Sequence, residues 1–384
     1  MRPHPITLTA IAGIGETDYS SNSGRSELHL AAQASLAAIR DAGLTPADID
    51  GLVTFTYDSS NELELQRALG VPALNWTGRT PFGGNGAMAT VQMAAAAVAS
   101  GVANAVLIYR AFNERSGARF GAPETSRIMG GGLKNDFHYD FGFDTAAKMY
   151  AMTYQPYARR YGVTSEDLGR YVVTARDYAA TNPRATYYQR PLTLEEHQAS
   201  RWIVEPFIRR WDCCLETDGG SALVVTSLDR ARDLKQPVVR VHGAAQRHGI
   251  NSRTAYDVYR SDDDRAADER SINEQLHRQS GFRPHEVDAA MIYDAFSPAV
   301  FFGLENRGFC GPGEAKAFIA EGHIGRGGSM PVNTHGGLVG EAYIHGINSI
   351  IEGVRQIRGQ AANQVAGVER VLVTGGSALV IGTP

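Results

Sequence analysis

The sequence predicts a duplicated α/β fold, on three observations. The stretch LTPADIDGLVTFTYD, starting at Leu44, is matched in pattern by FRPHEVDAAMIYDAF, starting at Phe282. Each has a Pro, an acidic residue two positions later, an aliphatic–Asp pair and then an apolar strand. A glycine loop opening a helix follows in each half: GGNGAMATVQMAAAAVASG from Gly83 and THGGLVGEAYIHGINSIIEGVRQIRG from Thr334. Each of these leads to another apolar strand, at 105–109 and at 370–374. Two halves with the same strand–loop–helix–strand order imply duplication, with parallel strands joined by crossover helices.

The remaining elements fit around this frame. Residues 6–14 read as a short strand ending in Gly13 and Gly15. A helix is predicted over 26–41, because Leu28, Leu30, Ala31, Ala34, Leu36, Ala37 and Ile39 form one apolar stripe. Gly43 is its natural stop. Residues 52–56 read as a buried strand. Residues 112–145 are Gly-rich and irregular, and their RIMGGGLKNDFHYDFGF run has aromatics that suit a lid or a partner contact. A helix over 164–181 has Thr164 and Asp167 as its capping box and Asn182-Pro183 as its stop. The charge run RSDDDRAADER from Arg260 reads as a solvated helix face. The halves are assigned as 1–111 with 201–235, and 236–384, with 112–200 inserted between them.

Composition excludes several function classes. The net charge is −4 with mixed signs, which argues against a nucleic-acid surface. No continuous apolar run approaches the ~18 residues of a membrane helix, and the first residues lack signal-peptide character, so a soluble cytoplasmic protein is expected. The 42 glycines show no G-X-Y period, so they mark tight turns and close backbone approach. Cys213, Cys214 and Cys310 have no metal-ligand spacing and read as reduced thiols. No metal and no cofactor is expected. The 83–86 loop lacks the spacing of a nucleotide-phosphate cradle.

With both halves placed, nearly the whole chain resembles the thiolase superfamily, in its lipid-transfer-protein branch. Four stretches carry the resemblance, in order. They are TNPRA with LTLEEHQASRWIVEPFIRRWDCCLETDGGSALVV, YDAF at Tyr293, NTHGGLVGEAYIHG at Asn333 and VTGGSALV at Val373. The resemblance implies a five-layer α/β/α/β/α arrangement with two mixed, mostly parallel sheets. Helices starting near Gly86 and Gly340 would pack together between those sheets. It also implies a homodimer paired through an edge strand at 74–80.

The departures from that pattern bear on function. A thiolase needs a cysteine at the mouth of the first glycine loop, where helix dipole and backbone N–H groups lower its pKa. Here the loop reads Phe82-Gly83-Gly84-Asn85-Gly86, and Gly83 takes that place. The terminal cysteine position is Val373. The family's active-site His falls on Tyr343 and its Asn on Tyr293, so thiolase chemistry is excluded. Two tyrosines at those places resemble the retro-aldolases of bacterial steroid side-chain degradation. That resemblance implies cleavage of a 17-hydroxy steroid acyl-CoA to a 17-keto steroid and propionyl-CoA. It also implies a heteromeric complex with the OB-fold partner domain of an enoyl-CoA hydratase subunit, docking near 137–143.

Retro-aldol cleavage needs a base for the β-hydroxyl proton, stabilisation of the thioester enolate and an acid for its α-carbon. Tyr293 and Tyr343 are the candidates for proton transfer. A free phenol titrates near ~10, so neighbours must tune one of them. Asp294 would raise a phenol, and His335 or His345, if charged, would lower it. Gly83, Gly375 and Gly376 are expected to line the substrate site, with the 83–86 loop offering backbone N–H groups to the thioester oxygen. Two other readings stay open: a catalytically inactive lipid or acyl-CoA carrier, and an acyl-CoA enzyme acting on a non-steroid substrate.

Overall fold

The computed structural model describes residues 3–81, 83–119, 121–122, 140–249 and 261–384. In the first half, β1 (Thr9–Glu16) is followed by α1 (Glu27–Ala42), β2 (Gly51–Phe55), β3 (Trp76–Thr80), α2 (Ala87–Ala99) and β4 (Ala105–Asn113). The insertion supplies α3 (Ala146–Tyr161) and α4 (Ser165–Ala180), and a small hairpin of β5 (Trp202–Val204) and β6 (Ile208–Arg209) follows it. Then come β7 (Asp218–Ser227), β8 (Val239–Gln246), α5 (Asp262–Ser280), β9 (Ala289–Ile292), α6 (Ile347–Arg358), β10 (Arg370–Thr374) and β11 (Ser377–Gly382).

Local chemistry explains the boundaries. Ser26 caps α1 by accepting from the His29 amide, and Gly43 closes it at φ 77°. Thr164 and Asp167 cap each other's backbone at the start of α4. Gly13 and Gly15 do not end β1, as the sequence reading had it. The strand continues through them because α1 lies directly on it: a Cβ at Gly13 would sit 2.1 Å from the Ala38 carbonyl oxygen. The charge run does form a helix, α5, with Asp262, Asp263 and Asp264 exposed and Ile272 and Leu276 buried.

The duplication is visible atom by atom. Asp50, just before β2, accepts from the Asn104 and Ala105 amides at 2.9 and 3.0 Å. Asp288, just before β9, accepts from the Glu369 and Arg370 amides at 2.9 and 2.8 Å. In each half the aliphatic–Asp pair therefore pins the start of the partner strand, and β2–β4 and β9–β10 both run parallel.

The strands form one ladder in the order β3-β2-β4-β7-β1-β8-β11-β10-β9. Its two parts meet at a narrow seam, where only Ala10 with Arg240 and Ile11 with Val239 pair. Apolar faces alternate with layers. One core joins α2 and α6 to Val53, Ile108 and Leu223 of the first part and to Met291, Val373 and Leu379 of the second. Neighbouring side chains point outward, Leu52, Leu107 and Val224 against α1 and Ala290, Leu372 and Val380 against α4 and α5. This is the five-layer arrangement.

Two expectations are corrected. The sheets are mixed, but parallel pairing is confined to β2–β3, β2–β4 and β9–β10, and the central pairs are antiparallel. The two-residue turn at Gly375 and Gly376 joins β10 to β11, and so short a link permits only an antiparallel return. The second central helix starts at Ile347, not near Gly340. Gly346 does meet the Ala-rich helix, since a Cβ built on it would be 3.3 Å from Ala87 Cβ, whereas one on Gly340 would be 2.9 Å from Ala179 Cβ of α4.

Candidate active site

Tyr293 leaves the end of β9 with its amide bonded to the Thr374 carbonyl at 2.8 Å. Tyr343 lies in the buried, non-helical loop before α6, its amide donating to Thr217 Oγ1 at 3.2 Å. These anchors bring the two phenol oxygens 2.8 Å apart, with both side chains buried. Glycines make the room. A Cβ on Gly84 would lie 2.6 Å from the Tyr293 ring, and one on Gly375 would lie 3.1 Å from Tyr293 Cβ.

A cavity of about 1490 Å³ opens over this pair. Gly83, Tyr293, Tyr343, His345, Gly375 and Gly376 all line it, so the structure brings six of the eight candidate residues together. Gly375 and Gly376 give shape and not donors: their amides already bond Ser377 O and Asn85 O, each at 2.9 Å. Phe82 and residues 137–139 lie outside the described residues; Phe141 is exposed and Phe143 lines the cavity.

Asp294 and His335 lie elsewhere. Consecutive residues leaving a strand point to opposite faces, so Asp294 turns away from Tyr343. It accepts from the Leu338 amide at 2.8 Å and from the Tyr171 hydroxyl, fastening the glycine loop to α4. Burial pushes its carboxyl up to about 6 despite those donors. His335 packs by Ser349, with Nε2 3.3 Å from its hydroxyl, and burial lowers its imidazole to about 4. That shift runs against the charged imidazole through which His335 was expected to lower a phenol. Burial, with Arg110 beside it, also holds His345 well below the usual histidine range.

Burial, reinforced by Tyr293, Cys214 and Glu114, raises the Tyr343 phenol well above its ordinary value. Glu114 itself lines the cavity, is buried, and is held well above the carboxylate range by burial and by Glu216. Nothing in the sequence singled it out. Burial also raises the Cys213 and Cys214 thiols, so neither is a ready nucleophile. Among the described residues no group of His, Cys, Asp and Glu could hold a metal ion, and no helix is long and apolar enough to cross a membrane.

This fold, with tyrosines in the cleft between its glycine loops and no cysteine on the 83–86 loop, defines a thiolase-like chain. Residues 263–381 match the family described as thiolase C-terminal domain-like. The chain is 52% identical over 371 residues to the steroid side-chain-cleaving aldolase of Thermomonospora curvata, covering 96% of this chain and 95% of that protein. It is 52% identical over 371 residues to the 17-hydroxy-3-oxo-4-pregnene-20-carboxyl-CoA lyase of Mycobacterium tuberculosis, covering 96% of each. The solved Ltp2-ChsH2(DUF35) aldolase superposes with a TM-score of 0.91 at 49% identity over 98% of both chains. An SCP2-thiolase-like protein from Mycobacterium smegmatis, 21% identical with a TM-score of 0.69 over 100% of this chain and 78% of that one, shares the fold. The chain belongs to the family of steroid side-chain-cleaving aldolases of the thiolase superfamily.

Proposed function

We propose that the protein is a carbon–carbon lyase that cleaves a 17-hydroxy steroid 20-carboxyl-CoA thioester into a 17-keto steroid and propionyl-CoA. The observation that carries this reading is the phenol pair, 2.8 Å apart at the cavity wall. Retro-aldol cleavage removes one proton from the hydroxyl and adds one to the α-carbon, so it is proton-neutral. Two hydrogen-bonded phenols can pass a proton along: one oxygen accepts from the substrate hydroxyl while the other donates to the enolate carbon. Such a relay needs no standing phenolate, which agrees with the raised Tyr343 phenol.

The cavity supports the substrate class. Its volume of about 1490 Å³ exceeds the usual ~300–1,000 Å³ of small-molecule sites. Tyr150, Phe296 and Phe302 offer apolar walls, and Arg160, Arg201 and Arg210 line the same space with cations that suit CoA phosphates. The relatives' names point the same way. For assembly, the reading is a homodimer through β3, which stands at one end of the ladder with an outer edge that no described strand pairs. An OB-fold partner domain of an enoyl-CoA hydratase subunit would complete the complex.

The test is incubation with a panel of β-hydroxyacyl-CoA thioesters, with and without that partner, followed by detection of the released short acyl-CoA. Release of propionyl-CoA from the 17-hydroxy steroid thioester is expected. A panel with no cleavage, alongside tight acyl-CoA binding, would make the chain a carrier. Light scattering at the mass of one chain would remove the dimer.

A further inference from the structure

One buried polar group at the cavity is not used by the two-phenol relay. His345 lies two residues after Tyr343, and its imidazole edge faces Gly83: a Cβ built there would be 3.5 Å from both Cε1 and Nε2. Its other nitrogen, Nδ1, is 2.9 Å from Arg110 Nε. A guanidinium has N–H donors and no acceptor. Nδ1 must therefore accept, and the imidazole's one proton is placed on Nε2, the nitrogen beside Gly83.

The surroundings hold that arrangement. Arg110 is buried and pairs with buried Asp58, Nη1 to Oδ2 at 3.0 Å, and also donates to the Ala111 carbonyl. Asp58 is held in turn by the Ser60 and Ala111 amides at 2.8 and 3.2 Å. Phe112 lies under the Arg110 guanidinium at 4.2 Å and beside the His345 ring at 5.0 Å, and Tyr343 meets that ring edge-on at 5.1 Å. The ring cannot flip without leaving a buried guanidinium N–H unbonded, a cost of ~1–3 kcal/mol or more. His345 also takes a left-handed backbone with φ 48°, rare for a non-glycine residue and kept only where the surroundings over-determine it.

We propose that His345 is a third catalytic group of the aldolase, a neutral Nε2–H donor to the thioester oxygen as that oxygen becomes the enolate oxyanion. This rests on the aldolase reading of the site. As the carbon–carbon bond breaks, its electron pair forms the enolate double bond and charge moves to the thioester oxygen. The N–H stabilises that charge and stays on nitrogen, and the charge returns when the tyrosine relay protonates the α-carbon. Arg110 and Asp58 are positioning residues, which set the tautomer. The loop that lost its thiol at Gly83 keeps the space in which that oxygen would sit.

The test uses the enzyme with its partner subunit and the steroid thioester. His345→Leu should lower kcat by ~10²–10³-fold, the usual effect of removing an oxyanion donor, with little change in KM. His345→Gln, whose amide N–H reaches the Nε2 position, should recover about tenfold or more of that loss. Independently of turnover, ¹⁵N spectra of histidine-labelled wild type, assigned by difference against the Gln variant, should show Nε2 protonated and Nδ1 bare from about pH 6 to 9. Leu and Gln variants equally impaired, a proton on Nδ1, or an imidazolium would overturn the proposal. If the wild type shows the expected tautomer but cleaves no acyl-CoA, the aldolase reading itself fails, and the two failures are thus distinguishable.

Discussion

Each half of the molecule carries a Tyr-Asp step beyond its first parallel strand, Tyr293-Asp294 directly after β9 and Tyr57-Asp58 two residues past the end of β2, and the two steps have been put to different uses. After β9, Tyr293 faces the cavity and bonds Tyr343, while Asp294 turns inward and fastens the glycine loop through Leu338 and Tyr171. After β2, Tyr57 reaches the cavity beside Gly83, while Asp58 turns inward and holds Arg110. The second half thus carries the phenol pair directly. The first half has glycine at its loop and contributes indirectly, through the Asp58–Arg110 pair that orients a histidine from the other half. The two steps are not register equivalents, since Phe55 and Thr56 stand opposite Tyr293 and Asp294 in the repeat, yet each pairs a cavity-facing tyrosine with a carboxylate that holds the frame.

The largest expected effect breaks or keeps this division. Tyr293→Phe and Tyr343→Phe remove one oxygen each and keep the ring, so folding should survive. Turnover should fall by ~10²–10⁴-fold, the usual contribution of a proton-transfer group, with far less change in acyl-CoA binding. Steady-state kinetics on the steroid thioester would check it. If both variants keep near-full rates, the phenol pair is not the relay. Because burial keeps the Tyr343 phenol neutral, kcat should stay flat from about pH 7 to 9. A tenfold rise per pH unit would instead mark a phenolate base.

A smaller effect probes the packing that sets the pair. Gly84→Ala places its methyl 2.6 Å from the Tyr293 ring and 2.7 Å from the His345 backbone. Overpacking of this kind costs ~1–3 kcal/mol, and it should reduce kcat because the phenol moves. Thermal melting and kinetics on one preparation would separate the two consequences. An unchanged melting temperature would mean that the loop yields more easily than its contacts indicate.

Asp294 offers a test through pH. Its folded pKa of about 6 lies above the ~3.9 of an unfolded Asp, so the folded state holds the proton more tightly. The stability this contributes is full below ~3.9, declines as pH rises and is lost through the folded value, ~3 kcal/mol in all. Asp294→Asn should flatten that part of the profile in denaturant titrations between about pH 4 and 7. An unchanged slope would show that this carboxyl does not titrate with folding.

Much of this was legible because it is local. Ser26 and Gly43 bound α1 through contacts within one turn, and the repeated Pro–acid–aliphatic–Asp pattern announced the duplication. Tyr343 was found by its spacing from the glycine pair, Gly336 and Gly337, and Tyr293 by the match of the YDAF stretch to a family motif. What stayed hidden depends on distant partners. His345 is set by Arg110, 235 residues away, and Glu114 is a candidate only because the fold buries it. Asp294 looked like a neighbour of the phenols because it is adjacent in sequence, yet strand geometry turns it to the opposite face. Sheet direction was misjudged for a similar reason, since β7, β8 and β11 carry no pattern that states their neighbours.

The smallest structural effect expected comes at Gly83, and it tests what the first half has given up. A Cβ there meets only ordinary contacts, 3.5 Å to His345 and 3.7 Å to Tyr57, and the backbone at φ −87° suits any residue. Gly83→Cys should therefore fold and melt within a degree or two of wild type. It restores a thiol at the thiolase position but not the means to activate it. Tyr343, a phenol held above its usual range, stands where a thiolase has its base. His345 Nδ1 is occupied by Arg110, and burial beside that cation keeps its imidazole from taking a proton. The new thiol should remain largely protonated, giving no thiolysis of a 3-ketoacyl-CoA and slow alkylation by iodoacetamide. Retro-aldol turnover should drop, because the sulfur fills space the thioester oxygen would use. Rapid alkylation together with measurable thiolysis would mean that the first half still holds a working nucleophile site, and the comparison drawn between the halves would collapse.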